Sequence, residues 1–495
     1  MIFRAVTILW RDRLHPVRET RLTDDTEVVP PFERGVRARF CVLALLAIAT
    51  SLRATDLPQL WAERVKSVVA VEYYTETEVD RRPSVSYGTV IDDQGTIILP
   101  SVAINPRATP SQLKDFKIYR PGNPASTPGA YLGQDALTGW HFVRADESIR
   151  GDLVPVTRFA TRRPAKLQLA DEVWGIGLRN KDEDFMPYYL SSHISLVQLL
   201  PQATAIAQQE VAGPGLPAFN RAGEFVGLAL SSFGQNYAEF SREARGGRPV
   251  ILVNVEESGA LLVADEVLPY LGRVPKNVFG RPLAWLGAYG IEPVDPDVAK
   301  FLKLGAQSAV VVSEVLDGSP AAKAGMKDRD IVTAINGEPL PRLKPDRVVI
   351  AYFGREIQRR KPGDTIAFTV LRNGSSSELS VVLGEEPKLV IEADRKYFDR
   401  LGFTAREFVY DDAVDRRVDA ANAAGVIAHF VKPNGPAAAA GLQTDDWIKE
   451  IDGVEVKSFP AAVTQLGAIE ANTSRTECVL LVSRNGDTAV LRVKL

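Results

Sequence analysis

Between residues 55 and 262 short apolar runs of strand length alternate with turn residues, and a helical pattern appears only near the end of that stretch, around Glu256 to Leu271. This is the signature of an all-β barrel or sandwich. Ahead of it, Arg37 and Arg39 precede an apolar run from Phe40 to Ala49, which small and polar residues follow. Ten apolar residues rise about 15 Å as a helix, half of a hydrocarbon core, so the run reads as a signal-peptide h-region within a 1–54 leader rather than a membrane span. A short buried helix is the other reading of the same run. Residues 1–34 are a charge-rich extension in front of it, and a start near Val36 would explain them.

The C-terminal half repeats itself. Residues 319–340, SPAAKAGMKDRDIVTAINGEPL, and 435–456, GPAAAAGLQTDDWIKEIDGVEV, match without a gap. Pro320 pairs with Pro436, Gly325 with Gly441, Asp330 with Asp446 and Gly337 with Gly453. Two copies mean two modules rather than a solenoid. In each, a Pro-Ala-Ala stretch predicts a short helix started by proline, where a missing N–H costs nothing, and stopped by glycine. An alternating strand follows, Asp330–Ile335 or Asp446–Ile451, and ends in Asn336-Gly337 or Asp452-Gly453, a tight-turn dipeptide. Upstream stands a Leu-Gly element, Leu286-Gly287 or Leu401-Gly402; downstream, apolar strands are broken by Arg372-Asn373-Gly374 and Arg484-Asn485-Gly486.

That order resembles a PDZ domain, twice, over 282–387 and 388–495. Such domains take a peptide C-terminus as an added strand on a sheet edge. Backbone N–H groups of the Leu-Gly loop hold its carboxylate, and its last side chain enters an apolar pocket. The resemblance places peptide-binding loops at Trp285, Leu286, Gly287 and Ala288, and at Leu401, Gly402, Phe403 and Thr404. Pocket-lining helix positions fall on Val349, Tyr352 and Phe353, and on Val463 and Leu466. A second copy that only packs against its neighbours is the alternative for 388–495.

Three stretches of the middle segment resemble the HtrA (Deg-type) trypsin-like serine proteases, whose barrel pair plus one or two PDZ domains matches this layout. Tyr87–Ile98 is similar to the strand and turn leading to the family's catalytic histidine, Leu132–Thr138 to the run ending at its aspartate, and Gly213–Glu224 to its nucleophile loop. The resemblance implies a mainly β fold: a double β-barrel over 55–272, a linker over 273–281 with hinge freedom from Pro275 and Gly280, and then two α+β PDZ domains. It also brings a homotrimer as the expected assembly. The family's chemistry needs a hydroxyl, an imidazole and a carboxylate. Carried over residue by residue, those positions fall on Gly139 for the aspartate, Val102 for the histidine and Pro214 for the serine. Proline has no backbone N–H to offer an oxyanion, and the flanking donor and second loop glycine fall on Ala212 and Leu216.

Composition narrows the remaining choices. The 495 residues are 45% hydrophobic and 24% charged, ordinary for globular domains, and the net charge of −3 lacks the basic excess of a nucleic-acid binder. Two cysteines, Cys41 and Cys478, exclude a disulfide framework. Four histidines limit imidazole chemistry to His15, His141, His193 and His429. His141 and His193, the latter between Ser191-Ser192 and Ser195, are the candidates for a rewired Ser-His pair; as metal ligands they fall two short of a site. The sequence therefore leads to the expectation of an exported, catalytically inactive HtrA-like protein of the periplasm or extracellular space. It would bind peptides or C-termini of envelope proteins in quality control, as an adaptor for an active HtrA-type protease or in a chaperone-like role, with no cofactor and no metal. The alternative is an active serine endopeptidase with a rearranged site.

Overall fold

The computed structural model describes residues 57–164, 166–198, 202–232, 237–240, 249–252, 259–305, 307–343, 346–420 and 423–495. The expected leader with its h-region and Cys41, and His15, lie outside the described residues. After helix α1 (Leu57–Arg64) the chain is built from hairpins. Strands β1 (Val68–Glu76), β2 (Arg81–Val90), β3 (Thr96–Leu99), β4 (Leu113–Tyr119), β5 (Ser126–Gln134) and β6 (His141–Ala145) close into a barrel in the order β1-β2-β3-β6-β5-β4. A second barrel follows from β7 (Glu172–Leu178), β8 (Pro187–Gln198), β9 (Thr204–Ala207), β10 (Pro217–Asn220) and β11 (Phe225–Ser232). A separate hairpin, β12 (Tyr237–Phe240) and β13 (Pro249–Leu252), precedes β14 (Gly259–Val263), which completes that barrel in the order β10-β11-β14-β9-β8-β7. Closure pairs every strand on both sides and leaves no sheet edge exposed.

The sequence of β1 shows how the barrels share a core. Val69 and Val71 pack inside the first barrel with Ile97, Leu99 and Val143, while Val68 and Ala70, pointing the other way, join Trp174, Phe219 and Leu261 of the second. Both faces of the strand are buried, so it reads as a continuous apolar run. One charge is buried with it: Glu72 accepts hydrogen bonds from Lys181 Nζ (2.6 Å) and Tyr119 Oη (2.8 Å), tying the barrels together. Burial alone would raise its carboxyl, but these bonds outweigh it and hold the group below the usual carboxylate range.

The helical pattern expected from Glu256 is shorter in the fold. Residues 259–263 are needed as β14 to close the barrel between β9 and β11, and the helical stretch begins only at helix α2 (Ala264–Val267), continuing as a 3-10 turn over Leu268–Tyr270. The linker also differs from the expected hinge. Arg273 pairs with Asp135, and Arg281 donates from Nε to Glu392 Oε1 (2.7 Å) and from Nη1 to Glu386 O (2.6 Å). Gly280 and Gly133 lie so close to backbone across this contact that neither has room for a Cβ. Packing on both flanks removes the freedom that Pro275 and Gly280 suggest.

Two α+β modules follow. The first contains β15 (Ala284–Trp285), β16 (Ala288–Tyr289), β17 (Glu292–Pro293), β18 (Val310–Val311), β19 (Glu314–Val315), helix α3 (Pro320–Lys323), β20 (Ile331–Ile335), β21 (Glu338–Pro339), helix α4 (Val348–Gln358), β22 (Thr365–Arg372), β23 (Ser375–Val382) and β24 (Gly384–Glu385). The second contains β25 (Arg395–Phe398), β26 (Phe403–Glu407), helix α5 (Tyr410–Arg416), β27 (Val426–Val431), helix α6 (Pro436–Ala439), β28 (Trp447–Ile451), β29 (Val454–Glu455), helix α7 (Phe459–Ala471), β30 (Glu477–Arg484) and β31 (Asp487–Lys494). The fold is mainly β, a trypsin-like double barrel followed by PDZ strands. The turn dipeptides adopt the paired positive φ of tight hairpin turns, as at Asn336 (51°) and Gly337 (80°), or Asp452 (54°) and Gly453 (76°). The repeated aspartates are structural. Asp330 receives both Arg372 Nε (2.7 Å) and Nη2 (2.6 Å), and Asp446 receives Arg484 Nε and Nη2, each at 2.6 Å.

Candidate functional site

The segments carrying Val102, Gly139 and Pro214 come together where the two barrels meet. Ser101 and Val102 form a short 3-10 turn after β3, and a Cβ on Gly139 would lie 3.0 Å from Ser101 Cβ. Pro100 Cδ stands 2.6 Å from where Gly215 would carry a Cβ, and Thr89 Oγ1 donates to Gly215 O across the same junction (2.7 Å). The cleft beside them has a volume of about 290 Å³. Its walls are mixed: Leu99, Leu137, Trp140, Leu228 and Leu262 line it together with Ser101, Thr138, Gln202, Glu266 and Arg355. Val102 is 75% exposed.

The histidine beside these segments is committed to the fold. His141 is buried and makes contacts through both ring nitrogens, Nε2 with Ser101 O (3.4 Å) and Nδ1 with Tyr131 Oη (3.0 Å). A carbonyl oxygen only accepts, so Nε2 carries the proton and Nδ1 accepts from the tyrosine. Burial lowers the His141 pKa to about 4, against a smaller opposing effect of the Ser101 carbonyl, so the ring is neutral near pH 7. Around Pro214 the loop amides point inward. Gly213 N–H donates to Ile176 O (3.2 Å), Gly215 N–H to Ala229 O (2.7 Å) and Leu216 N–H to Gly213 O (2.9 Å). His193 lies exposed on β8 opposite Glu172. Of its serine neighbours, Ser192 Oγ accepts from Gln209 N–H (2.9 Å) and Ser195 Oγ donates to Ile206 O (3.0 Å).

In the first α+β module the Leu-Gly loop sits between β15 and β16. Gly287 has φ of +76°, and a Cβ there would meet Ser319 Cβ at 2.2 Å. Its carbonyl and that of Leu286 accept from Leu316 N–H and Ala321 N–H, each at 3.0 Å, which fixes the loop against α3. Beyond it, β16 pairs with β19 and β17 with β18, so this strand segment ends the sheet among the described residues. Helix α4 flanks that edge; Val349 and Phe353 are buried in the core beside Leu286, with Tyr352 and Ala288 packed against them. Trp285 meets Tyr410 of α5 edge-on, ring centroids 5.6 Å apart.

The second module keeps the loop but not the open edge. Gly402 O and Leu401 O accept from Lys432 N–H (2.8 Å) and Ala437 N–H (3.0 Å), as in the first copy. Here, however, β25 pairs antiparallel with β26 on the side away from β27. Leu401, Phe403, Thr404 and Leu466 are buried, and Val463 packs against the same core. The outer edge of β26, beside these residues, is paired with Arg395–Phe398. Sequence reasoning passed over that segment, although its Tyr397-Phe398 pair and the turn before Leu401 read as one arm of a hairpin.

Residues 287–383 match the family model of a PDZ domain. With its barrel pair and that domain goes a likeness to DegP-like serine endoproteases. Over 273 residues it is 28% identical to a probable periplasmic serine endoprotease DegP-like of Brucella suis biovar 1 (strain 1330), covering 55% of this chain and 48% of that protein. A DegP-like protein of the same description from Rhizobium meliloti (strain 1021) is 31% identical over 247 residues, 49% of this chain and 44% of its own. The chain thus spans about half the length of the curated relatives it matches. Among solved structures, a serine endoprotease from Yersinia pestis aligns over 67% of this chain and 98% of its own, at 18% identity and a TM-score of 0.46.

Proposed function

We propose that this is an exported HtrA-like protein that holds polypeptides rather than cutting them. The barrel pair serves as scaffold, and the PDZ edge at β16 and β17 grips extended segments or free C-termini of other cell-envelope proteins. The observation that carries this reading is the junction of the barrels. At the three positions that the family gives to a base, an orienting acid and a nucleophile stand Val102, Gly139 and Pro214, and the imidazole in contact with this junction among the described residues, His141, is buried and tied to Ser101 and Tyr131. One lost oxyanion donor costs about 3 kcal/mol, or 10²–10³ in rate. Here Pro214 has no N–H, and the amides of Gly213, Gly215 and Leu216 donate within the fold. Periplasmic residence follows the names of the DegP-like relatives. Those relatives are also named proteases, so chemistry must be tested directly.

A fluorophosphonate probe should leave no adduct, and a casein-type substrate should remain intact with the purified chain. A covalent adduct on Ser101, Ser191 or Ser195, with turnover lost on its replacement by alanine, would instead establish a serine endopeptidase with a rearranged site. Peptide arrays test the gripping function. Signal lost on amidating the peptide C-terminus supports carboxylate capture at Leu286-Gly287, and no binding to any peptide refutes it.

A further inference from the structure

We infer that the second PDZ-like module is occupied by a ligand built into its own chain, the segment Arg395–Phe398. A peptide held in PDZ fashion runs antiparallel to the strand after the Leu-Gly loop, with its last residue next to the loop. Strand β25 has that polarity and position. Phe398 pairs with Phe403, Tyr397 with Thr404, Lys396 with Ala405 and Arg395 with Arg406 along the outer edge of β26. At the loop, Gly402 N–H donates to Phe398 O (2.8 Å), where an incoming carboxylate would need a donor. A carboxylate is present there too, since Arg400 N–H donates to Glu470 Oε1 of α7 (2.9 Å). The apolar pocket is filled by the Phe398 ring, fully buried beside Phe403, Ala462 and Leu466. Strand, loop donors and pocket are therefore all satisfied from within.

In the first module the corresponding upstream strand, β15, pairs with β24 instead, and among the described residues no strand pairs with the outer edge of β16 and β17. One chain accordingly offers one receptor for C-termini, at Leu286-Gly287. This count of ligands rests on the peptide-gripping reading above, whereas the filling of the second module does not.

Hydrogen exchange on the full chain separates the two. The amides of Gly402 and of β26 should exchange at least about 10²-fold more slowly than in an unfolded chain, with or without a saturating free-carboxylate peptide. Fast exchange there in the free protein, or protection that appears only with peptide, would overturn the inference even if the first module binds nothing. A cross-strand disulfide from Tyr397→Cys with Thr404→Cys, which locks β25 in place, should leave peptide affinity and a stoichiometry of one per chain unchanged. Any loss of bound peptide on closing that disulfide would show that the second groove takes ligands from outside.

Discussion

Gly287 and Gly402 occupy matching places in the repeat, yet they are constrained differently. Both have left-handed φ, +76° and +75°, where any side chain is strained. A Cβ on Gly287 would overlap Ser319 Cβ at 2.2 Å, whereas one on Gly402 would find its nearest neighbour, Pro436 Cδ, at an ordinary 3.4 Å. Gly402→Ala should therefore cost about 1 kcal/mol from backbone strain alone, and Gly287→Ala about 2–3 kcal/mol because α3 must also shift. Urea unfolding of the two variants tests the order, and equal losses would show that the first loop gives way freely. His141 makes a second prediction. Its folded pKa of about 4 lies below its ordinary 6.5, so the unfolded chain binds more protons between those values. Stability is full above about pH 6.5 and falls as the pH drops toward 4, by at most about 3 kcal/mol for this group. His429, also held at about 4 by burial and then by Arg395 and Arg406, adds to the same slope. Urea midpoints at pH 7 and pH 4.5 should differ less in His141→Gln than in the parent.

At the scale of elements, the paired aspartates explain why the repeat is so regular in sequence. Asp446 is 1% exposed, accepts from Gln443 N–H (2.8 Å) and receives a two-pronged guanidinium that also donates to Gly441 O (2.8 Å). Arg484→Met should strand that carboxylate and destabilise the second module by about 2–3 kcal/mol, and adding Asp446→Asn should recover part of the loss. No recovery in the double variant would mean that packing of the arginine stem matters more than its charge. These features were legible because they are local: a turn dipeptide, a proline-started helix and an alternating strand each announce themselves within about ten residues. Leu286, Val349, Phe353, Leu401 and Leu466, read from the repeat as peptide-binding loop and pocket positions, lie buried in the cores of the two modules. What was not legible depended on distant partners. The pattern near Glu256 reads as helix until β9 and β11 are seen to require a closing strand. The strand at Arg395–Phe398 shows itself only through its pairing along the edge of β26.

Over the whole molecule, arginines reach across the boundaries between parts. Arg355 of α4 pairs with Glu266 of the second barrel (3.3 Å) and lies over the Tyr270 ring, so the helix flanking the open PDZ edge also borders the barrel cleft. Thr404 Oγ1 donates to Glu78 Oε1 in the turn between β1 and β2 (2.8 Å), joining the second module to the first barrel. Arg281 is the most enclosed of these ties, with its side chain 14% exposed against 6% for Glu392, and it reaches the carbonyls of Glu386 and Pro387 as well. Removing one member of this half-buried pair strips the other of its charged partner and costs about 2 kcal/mol. The barrels and the two modules have separate cores, so that loss should appear as local opening rather than as global unfolding. Arg281→Ala should be cut by trypsin or a broad-specificity protease between residues 273 and 283 at least about 10-fold faster than the parent, because cleavage follows the population of the opened segment. The barrel fragment released should remain folded and resist further digestion. Unchanged cleavage would mean that Gly280 packed on Gln134, and Arg273 on Asp135, hold the linker without the arginine, and that the modules are positioned by backbone fit rather than by charge.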